Sequence, residues 1–229
     1  MEAIILAGGK AERLGDAAGG QPKALVEVGG RPLVAYQVGQ LAHAGVDRVI
    51  VSCSSGEEGR FGEALDGIGP EIVTAPEPEP LGRGGGLRFA SARRRESGPV
   101  YALNGDELVD VDLRVLLDRH RALSPAATIT VVAPKSSFGV VEVADDDVVR
   151  GFDESATLPV WVSCGVYALD EEALERLPET GDHETTTFPD LAAEGKLRAF
   201  RHEGTWLTVN TPKDLRVAEA FLRAHPDWP

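Results

Sequence analysis

The first half of the chain alternates short apolar runs, rich in β-branched residues, with longer amphipathic stretches, and this alternation limits the fold more than any other feature. The runs predicted to be buried strands cover residues 3–7, 48–53, 71–74 and 99–103. After Pro32, apolar side chains recur at helical spacing, which predicts a helix that ends near Gly45. Strands separated by helices favour a largely parallel α/β sheet.

After Asn104 the predicted strands follow one another with short connections. They cover residues 128–133, 139–143, 148–152 and 161–168. Because short connections favour antiparallel pairing, the central sheet is predicted to be mixed and mainly parallel. Thr211 and Pro212 predict the capped start of a C-terminal helix, whereas the prolines in residues 75–80 predict a stiff extended loop. The whole chain, residues 1–229, is predicted to form a single domain.

The composition argues against several classes of partner. A formal net charge of −14 is unfavourable for binding nucleic acid, which normally requires clustered Lys and Arg. No apolar stretch approaches the roughly 18 residues of a membrane span, and no secretory leader is recognisable. We therefore predict a cytoplasmic protein without a membrane partner. Assembly into a homo-oligomer is left open by the sequence. Cys53 and Cys164 lie in apolar runs and are predicted to be buried, reduced thiols.

A glycine-rich loop comes directly after the first predicted strand, with the sequence Leu-Ala-Gly-Gly at residues 6–9. Glycine at the end of a strand lets backbone N–H groups approach phosphate oxygens that a Cβ would obstruct. Arg13 and Lys23 add positive charge shortly afterwards. The loop has neither the spacing of a dinucleotide-binding fingerprint nor the Gly-Lys-Ser/Thr end of a Walker P-loop. It predicts a site for a nucleoside triphosphate.

A further segment offers an oxygen ligand for a metal ion. Asp106 follows Asn104 and Gly105 at the end of an apolar strand. Mg²⁺ prefers oxygen ligands and usually keeps several waters, so one carboxylate with substrate phosphates would nearly complete its coordination. The neighbouring acids are interpreted as solvated or capping residues; they are Glu107, Asp110 and Asp112.

These segments resemble, in the same order, those of the sugar-phosphate nucleotidyltransferase family. In that family Gly-Gly-x-Gly-Thr-Arg-Leu precedes a Pro-Lys pair, Leu-Gly-Thr-x-Gly-Ala-Leu lines the nucleobase pocket, and Asn-Gly-Asp supplies a metal-binding carboxylate. Residues 80–87, with the sequence Pro-Leu-Gly-Arg-Gly-Gly-Gly-Leu, are similar to the second of these motifs. The overall likeness is to mannose-1-phosphate and heptose-1-phosphate guanylyltransferases. The resemblance implies a Rossmann-like three-layer α/β/α sandwich with a mixed, mainly parallel central sheet, the nucleotide-diphospho-sugar transferase fold.

The resemblance also implies roles for individual residues. Nucleotide-binding roles fall to Leu6, Ala7, Gly8, Gly9, Arg13, Lys23, Arg83, Gly85, Asn104 and Gly105. Catalytic roles fall to Arg13, Lys23 and Asp106. Contacts with the acceptor substrate fall to Gly139, Glu154, Ser163 and Gly165. Residues 1–110 would then form the nucleotide-binding half of the domain, and residues 111–229 the sugar-phosphate-binding half.

The implied reaction is a Mg²⁺-dependent condensation of a nucleoside triphosphate with a sugar 1-phosphate or a cyclitol phosphate, which gives a nucleotide-sugar and pyrophosphate. Many relatives carry Asp where this chain has Thr208, and others use an Asn at the position of Asn210. Asp106 and Asn210 are therefore the implied metal ligands. GTP is favoured as the donor only by the overall likeness to guanylyltransferases, and UTP, CTP and dTTP stay open as donors.

Departures from the family pattern keep two other functions open. Glu12 stands where the family has Thr or Ser, and Arg83 replaces a common Thr. Ser155 replaces a Lys and Ser163 replaces an Asn in the segments that contact the acceptor. These changes are compatible with a regulatory protein that binds a nucleotide-sugar without turning it over. Residues 110–112 (Asp-Val-Asp) match the short metal motif of glycosyltransferases of related fold, in which an activated sugar is the donor.

Overall fold

The computed structural model describes residues 1–228, except for the side chains of residues 16 and 17. The strands are β1 (Glu2–Leu6), β2 (Glu27–Val28), β3 (Arg31–Pro32), β4 (Arg48–Ser54), β5 (Glu71–Glu77), β6 (Val100–Asn104), β7 (Glu107–Val109), β8 (Ala127–Val132), β9 (Val140–Val143), β10 (Val149–Asp153), β11 (Val162–Leu169), β12 (Leu197–Arg201) and β13 (Trp206–Thr208). The α-helices are α1 (Leu33–His43), α2 (Glu58–Ala64), α3 (Gly82–Ser91), α4 (Leu113–Leu123), α5 (Glu171–Glu175), α6 (Thr187–Ala193) and α7 (Pro212–Ala224). Short 3₁₀ segments, Glu12–Ala18 and Lys23–Leu25, follow β1.

In the described part of the chain, seven strands form the central sheet in the order β12-β8-β11-β6-β1-β4-β5. Strand β1 pairs parallel with both β4 and β6, and β4 pairs parallel with β5. Strand β11 runs antiparallel to both β6 and β8, while β12 is parallel to β8. The prediction of a mixed, mainly parallel sheet is therefore confirmed.

Helices cover both faces of the sheet, because alternate side chains of its strands enter different cores. In β1, Ala3 and Ile5 lie in one core with residues of α1 and α4, whereas Ile4 lies in the other with residues of α3, α5 and α6. Successive side chains of a strand point to opposite faces, so a strand that is buried on both faces needs an uninterrupted apolar sequence. This is the physical reason that short apolar runs predicted these strands, and the helices on both faces confirm the three-layer sandwich that the family resemblance implied.

Helix α1 begins after Pro32 and ends before Gly45, as predicted. A proline fits the entry to a helix, because the N–H that it lacks would have no partner within the first turn. Gly45 has φ of +85°, the left-handed conformation that commonly terminates helices.

Strand β5 is longer than predicted, and the expectation of a loop over residues 75–80 is wrong for residues 75–77. These three residues continue the parallel pairing with β4. Strand β5 lies at the edge of the sheet, where a proline such as Pro76 can be placed without breaking the ladder of an inner strand. The extension carries Glu77 to the carboxyl end of the sheet.

Two small antiparallel pairs of strands, β9 with β10 and β7 with β13, lie outside the central sheet. Strands β9 and β10 form a hairpin outside it. Strand β13 pairs with β7, with Thr208 opposite Glu107. This second pairing brings the segment before α7 next to the turn that follows β6.

Helix α7 begins with a capping box. The Asp214 amide donates to the Thr211 hydroxyl over 3.3 Å, and the Thr211 amide donates to the Asp214 carboxylate over 2.9 Å. We expect Thr211→Ala to lower the free energy of unfolding by about 1 kcal/mol, because it removes the acceptor of an otherwise unpaired amide. Urea unfolding followed by circular dichroism measures this loss. Thr211→Ser keeps the hydroxyl and should lose only a few tenths of a kcal/mol; equal losses in both variants would contradict the capping role.

Both cysteines are buried and free, in agreement with the prediction. Burial raises the pKa of the Cys53 thiol to about 11 and that of the Cys164 thiol to about 12, so both thiols stay protonated near neutral pH. None of the helices within residues 1–228 is long and apolar enough to cross a membrane.

Candidate active site

A cavity of about 750 Å³ crosses the carboxyl ends of the parallel strands β6, β1, β4 and β5. This edge is where open α/β sheets bind their ligands. The cavity is lined by Leu6, Ala7, Gly8, Gly9, Lys10, Lys23, Ala24, Ser54, Ser55, Glu77, Pro78, Glu79, Pro80, Gly82, Arg83, Asn104, Gly105, Asp106, Glu107 and Asn210. Its volume falls within the usual range for small-molecule sites, about 300–1,000 Å³.

Three of the predicted site residues meet at one end of the cavity. The Lys23 ammonium donates to Asp106 Oδ2 and to Asn210 Oδ1, over 2.6 Å in each case. The three residues come from distant parts of the chain, and the sequence predicted all of them. One carboxylate oxygen, from Asp106, and one amide oxygen, from Asn210, thus contact the same cation, the Lys23 ammonium.

The backbone around Asp106 is held by hydrogen bonds to strand β1 and from helix α1. The Gly105 amide donates to the Leu6 carbonyl over 2.8 Å, and a Cβ at Gly105 would lie 2.5 Å from that carbonyl oxygen. From helix α1, the buried Gln37 amide donates to the carbonyls of Asn104 and Glu107 over 2.7 Å each. The turn that presents Asp106 is therefore fixed from two sides, and sequence patterns gave no signal for Gln37.

The loop after β1 folds back on itself and delivers Lys23 to the site. The Lys23 amide donates to the Gly9 carbonyl over 3.1 Å. Arg13 is exposed, and its Nη2 lies 3.5 Å from Asn210 Oδ1. Glu12, which departs from the family pattern, is also exposed and is not among the residues that line the cavity.

Asn210 is held by the cap of α7, because its amide donates to Asp214 Oδ2 over 3.1 Å. Its side-chain oxygen therefore faces Lys23 from a fixed backbone. Thr208, the alternative ligand position, lies within β13 and does not line the cavity.

Glu107 differs from its interpretation as a solvated or capping acid. The Trp206 indole donates to Glu107 Oε2 over 2.7 Å, and the Asn104 side-chain amide lies 3.3 Å from Oε1. Burial raises the pKa of the Glu107 carboxyl to about 7, against its ordinary value near 4.3. Glu107 is therefore a partly buried acid in the cavity wall beside Asp106.

The other two acids after Asp106 have structural partners outside the cavity. Asp112 caps α4 and accepts a hydrogen bond from the Arg114 amide over 3.0 Å, as a capping residue should. Asp110 accepts from the Thr205 amide over 2.6 Å, and its Oδ1 lies 2.6 Å from His202 Nε2. Neither residue lines the cavity. The Asp-Val-Asp pattern thus supplies a helix cap and a partner for His202, and both of its acids lie outside the cavity lining.

The glycine-rich segment at residues 80–87 forms the start of α3 rather than an open loop. A Cβ at Gly85 would lie 2.5 Å from the Glu179 carbonyl oxygen, so this glycine serves close helix packing and does not line the cavity. Arg83 does line the cavity, but its guanidinium binds Asp182 and also lies 2.7 Å from Glu184. These two acids compensate the charge that Arg83 brings to this position.

The residues predicted to contact the acceptor lie in two parts of the structure, strand β11 and the ends of the β9–β10 hairpin. Gly165 has φ of +69°, in a bulge of β11, and a Cβ there would lie 2.7 Å from the Asn104 side chain. Ser163 Oγ lies 3.4 Å from the Tyr167 hydroxyl. Gly139 and Glu154 flank the β9–β10 hairpin, and Glu154 is exposed. None of these four residues lines the cavity.

Comparison with known proteins gives the family. Residues 2–225 match the family model described as Nucleotidyl transferase. The chain belongs to the nucleotidyl transferase family. The resemblance inferred from its motifs is thereby confirmed.

Two relatives of this chain are named for their activities. Mannose-1-phosphate guanyltransferase from Pichia angusta is 33% identical over 228 residues, which cover 93% of this chain and 62% of that protein. Mannose-1-phosphate guanylyltransferase from Mycobacterium tuberculosis is 30% identical over 234 residues, which cover 97% of this chain and 64% of that protein. The chain thus spans somewhat less than two thirds of the length of either relative.

A solved structure shares the fold of this chain. HddC from Yersinia pseudotuberculosis superposes with a TM-score of 0.75 at 22% identity, covering 96% of this chain and 99% of that one. The same protein complexed with GMP-PN superposes with a TM-score of 0.72. The similarity agrees with the expected nucleotide-diphospho-sugar transferase fold.

Proposed function

We propose that this chain transfers a nucleoside monophosphate from a nucleoside triphosphate to a sugar 1-phosphate or a cyclitol phosphate, with release of pyrophosphate. The convergence of Lys23, Asp106 and Asn210 at one end of the long cavity is the observation that carries the proposal. The family match supports it. In this proposal residues 1–110 contribute the nucleotide site and residues 111–229 the acceptor site of a single domain.

The donor atoms at this end of the cavity fit Mg²⁺. Asp106 Oδ2 and Asn210 Oδ1 already converge on one cation, the Lys23 ammonium, at 2.6 Å each. The described residues contain no group of three or more His, Cys, Asp or Glu side chains that could hold a metal. Two protein oxygens leave room for phosphate oxygens and waters, which is how Mg²⁺ is usually bound beside a nucleotide.

The chain's own residues would mainly position substrates and neutralise charge. Lys23 would bind the reacting phosphates, and Arg13 would stabilise the leaving β- and γ-phosphates. Asp106 and Asn210 would hold Mg²⁺, which, when bound, supplies further charge neutralisation at the reacting phosphate. The acceptor phosphate is already an ionised nucleophile near neutral pH, so no side chain has to remove a proton.

The substrates follow from the relatives rather than from the cavity. Two of them are named for mannose 1-phosphate and guanine nucleotides, and this favours GTP as the donor. Ser155 and Ser163 change the predicted acceptor contacts, so the acceptor is proposed only as a sugar phosphate or cyclitol phosphate. The strongly acidic charge supports a small-molecule partner rather than a nucleic acid.

A pyrophosphate-release assay tests the proposal. GTP, UTP, CTP and dTTP are each combined with a panel of sugar 1-phosphates and cyclitol phosphates in the presence of Mg²⁺. Release that requires both substrates would support it. A glycosyltransferase would instead release a nucleotide from a nucleotide-sugar, and a regulatory relative would bind nucleotide-sugar without exchanging pyrophosphate into triphosphate. Either result would overturn the proposal.

A further inference from the structure

Glu107 is an acid in the cavity wall to which the proposed reaction gives no role. It follows Asp106 directly in the chain and lines the same cavity. Asp106 is paired with Lys23, whose ammonium lies 2.6 Å from its carboxylate. Within the described part of the chain, no Lys, Arg or His side chain forms an ion pair with Glu107, whose side-chain partners are neutral donors. Its charge is therefore not matched by a cation of the protein.

The Glu107 carboxylate is held in place without being saturated. The Trp206 indole donates to Oε2 over 2.7 Å, and the Asn104 side-chain amide donates to Oε1 over 3.3 Å. A carboxylate has about four acceptor positions on its two oxygens. Each oxygen therefore keeps a position for a further donor, and a ligand in the cavity can supply it.

Glu107 adjoins the strand that carries two of the residues predicted to contact the acceptor. Strand β6, which Glu107 follows, has β1 on one side and β11 on the other. In the bulge of β11, a Cβ at Gly165 would lie 2.7 Å from Asn104 Nδ2, the same atom that donates to Glu107. Ser163 lies two positions earlier in β11. Among the acids of the cavity wall, Glu107 is thus well placed to meet the ring of an acceptor whose phosphate binds beside Asp106.

The acceptor can offer this carboxylate either a hydroxyl or an amine. A hydroxyl adds one more neutral donor to a partly buried charge. A protonated amine offers up to three N–H donors together with a positive charge, and hydrogen bonds between two charged groups are roughly twice as strong as neutral ones. Since partly buried carboxylates are costly unless a cation pairs with them, an ammonium group matches this position better than a hydroxyl does.

We propose that Glu107 binds a protonated amino group on the ring of the acceptor, so that the preferred acceptor is an amino-sugar 1-phosphate or an aminocyclitol phosphate. This assignment rests on the proposed nucleotidyl transfer and narrows its acceptor to one chemical class. An acceptor with a hydroxyl in place of the amine leaves the carboxylate without a cation, and an N-acetylated amine has lost its charge. Both are therefore disfavoured.

The test compares acceptors that differ only at the amine. Glucose 1-phosphates that carry an amine at C2, C3, C4 or C6 are compared with glucose 1-phosphate and with their N-acetyl forms, with GTP and Mg²⁺ near pH 7. The mannose and galactose series and an aminocyclitol phosphate with its parent cyclitol phosphate complete the panel. In the best series, kcat/KM from pyrophosphate release should favour the amine by roughly 10- to 100-fold over both analogues. Amines that react no faster than their hydroxyl analogues in every series would overturn the assignment.

Glu107→Gln removes the charge and keeps the size of the side chain. The glutamine oxygen can accept from the Trp206 indole, and its NH₂ group can donate to Asn104 Oδ1, which has no hydrogen-bond partner in the described structure. The melting temperature should therefore stay near that of the wild type. The preference for the amine should fall to about threefold or less, while kcat/KM for the hydroxyl acceptor changes by less than about threefold. An equal loss for all acceptors would indicate a structural role and contradict the assignment.

Glu63→Gln is the matched control for the loss of one negative charge. Glu63 is exposed on α2 and does not line the cavity. This variant should retain the wild-type preference for the amine. If Glu63→Gln and Glu107→Gln reduce the preference equally, the preference reflects the overall charge of the protein, and the role of Glu107 is wrong.

The outcomes also separate the role of Glu107 from the proposed function. Pyrophosphate release that is fastest with hydroxyl acceptors would overturn the role of Glu107 and leave nucleotidyl transfer standing. If no pair of substrates releases pyrophosphate, calorimetry in the presence of GTP compares the binding of the amino-sugar phosphates with that of their hydroxyl analogues. Tighter binding of an amine that depends on Glu107 would support its role and overturn the proposed function, whereas equal or undetectable binding would overturn both.

Discussion

Replacement of Asp106 by alanine is expected to lower kcat about 1,000-fold at saturating substrates and leave the fold intact. Asp106 provides the carboxylate that accepts a hydrogen bond from Lys23, and a metal ligand contributes mainly to stabilising charge in the transition state. The side chain is 37% exposed, and the turn that presents it is held independently by hydrogen bonds from the Gly105 backbone amide and the Gln37 side-chain amide. Steady-state pyrophosphate release measures the loss.

Asp118→Ala is the matched control, because Asp118 is an exposed aspartate on α4, away from the cavity. It should turn over at the wild-type rate. Circular dichroism and thermal melting of both variants should resemble those of the wild type. A kcat for Asp106→Ala within about threefold of the wild type at saturating Mg²⁺ would remove Asp106 from the metal site.

Replacement of Lys23 by alanine is expected to lower kcat/KM by about 100- to 1,000-fold, the second large effect. Lys23 is 8% exposed, and its ammonium is the cation that Asp106 and Asn210 share. Without it, the reacting phosphates lose a charge-assisted hydrogen-bond partner. The effect on stability should be small, because Asp106 is exposed enough to be solvated after the change.

Lys213→Ala gives a comparison for the loss of one positive charge close to the site. Lys213 is exposed on the first turn of α7, and it does not line the cavity. Its removal should change kcat/KM by less than about twofold. Equal kcat/KM values for Lys23→Ala and Lys213→Ala would contradict the role of Lys23 in binding phosphate.

The parts of the fold that the sequence predicted well are those encoded by local patterns. Apolar runs identified the buried strands because strands covered on both faces need uninterrupted apolar sequence. Pro32, Gly45 and Thr211 marked helix ends through their own backbone and capping chemistry. At the Asp106 end of the site, the position of Asp106 after an apolar strand was a local signal, whereas Lys23 and Asn210 were identified through the order of the family's motifs.

The parts that were missed depend on contacts between residues distant in sequence. The position of Glu107 in the cavity wall was not predicted, because its hydrogen-bond partner, the Trp206 indole, lies 99 positions away in the sequence. Arg83 is paired by Asp182, also 99 positions away, and no local pattern shows this compensation. The sequence did not predict that Glu77 lines the cavity, because its segment was predicted to be a loop. Pro76 is compatible with a strand because β5 lies at the edge of the sheet.

The most direct test of the central claim follows the phosphorus atoms through one reaction. GTP labelled at the α-phosphate is mixed with mannose 1-phosphate, Mg²⁺ and the protein, and the products are separated and quantified. The account predicts that the label enters a nucleotide-sugar, that an equal amount of pyrophosphate appears, and that Asp106→Ala largely abolishes both. Label that remains in GTP with this acceptor and with every other sugar or cyclitol phosphate, or that emerges as GMP or GDP without a nucleotide-sugar, would contradict it.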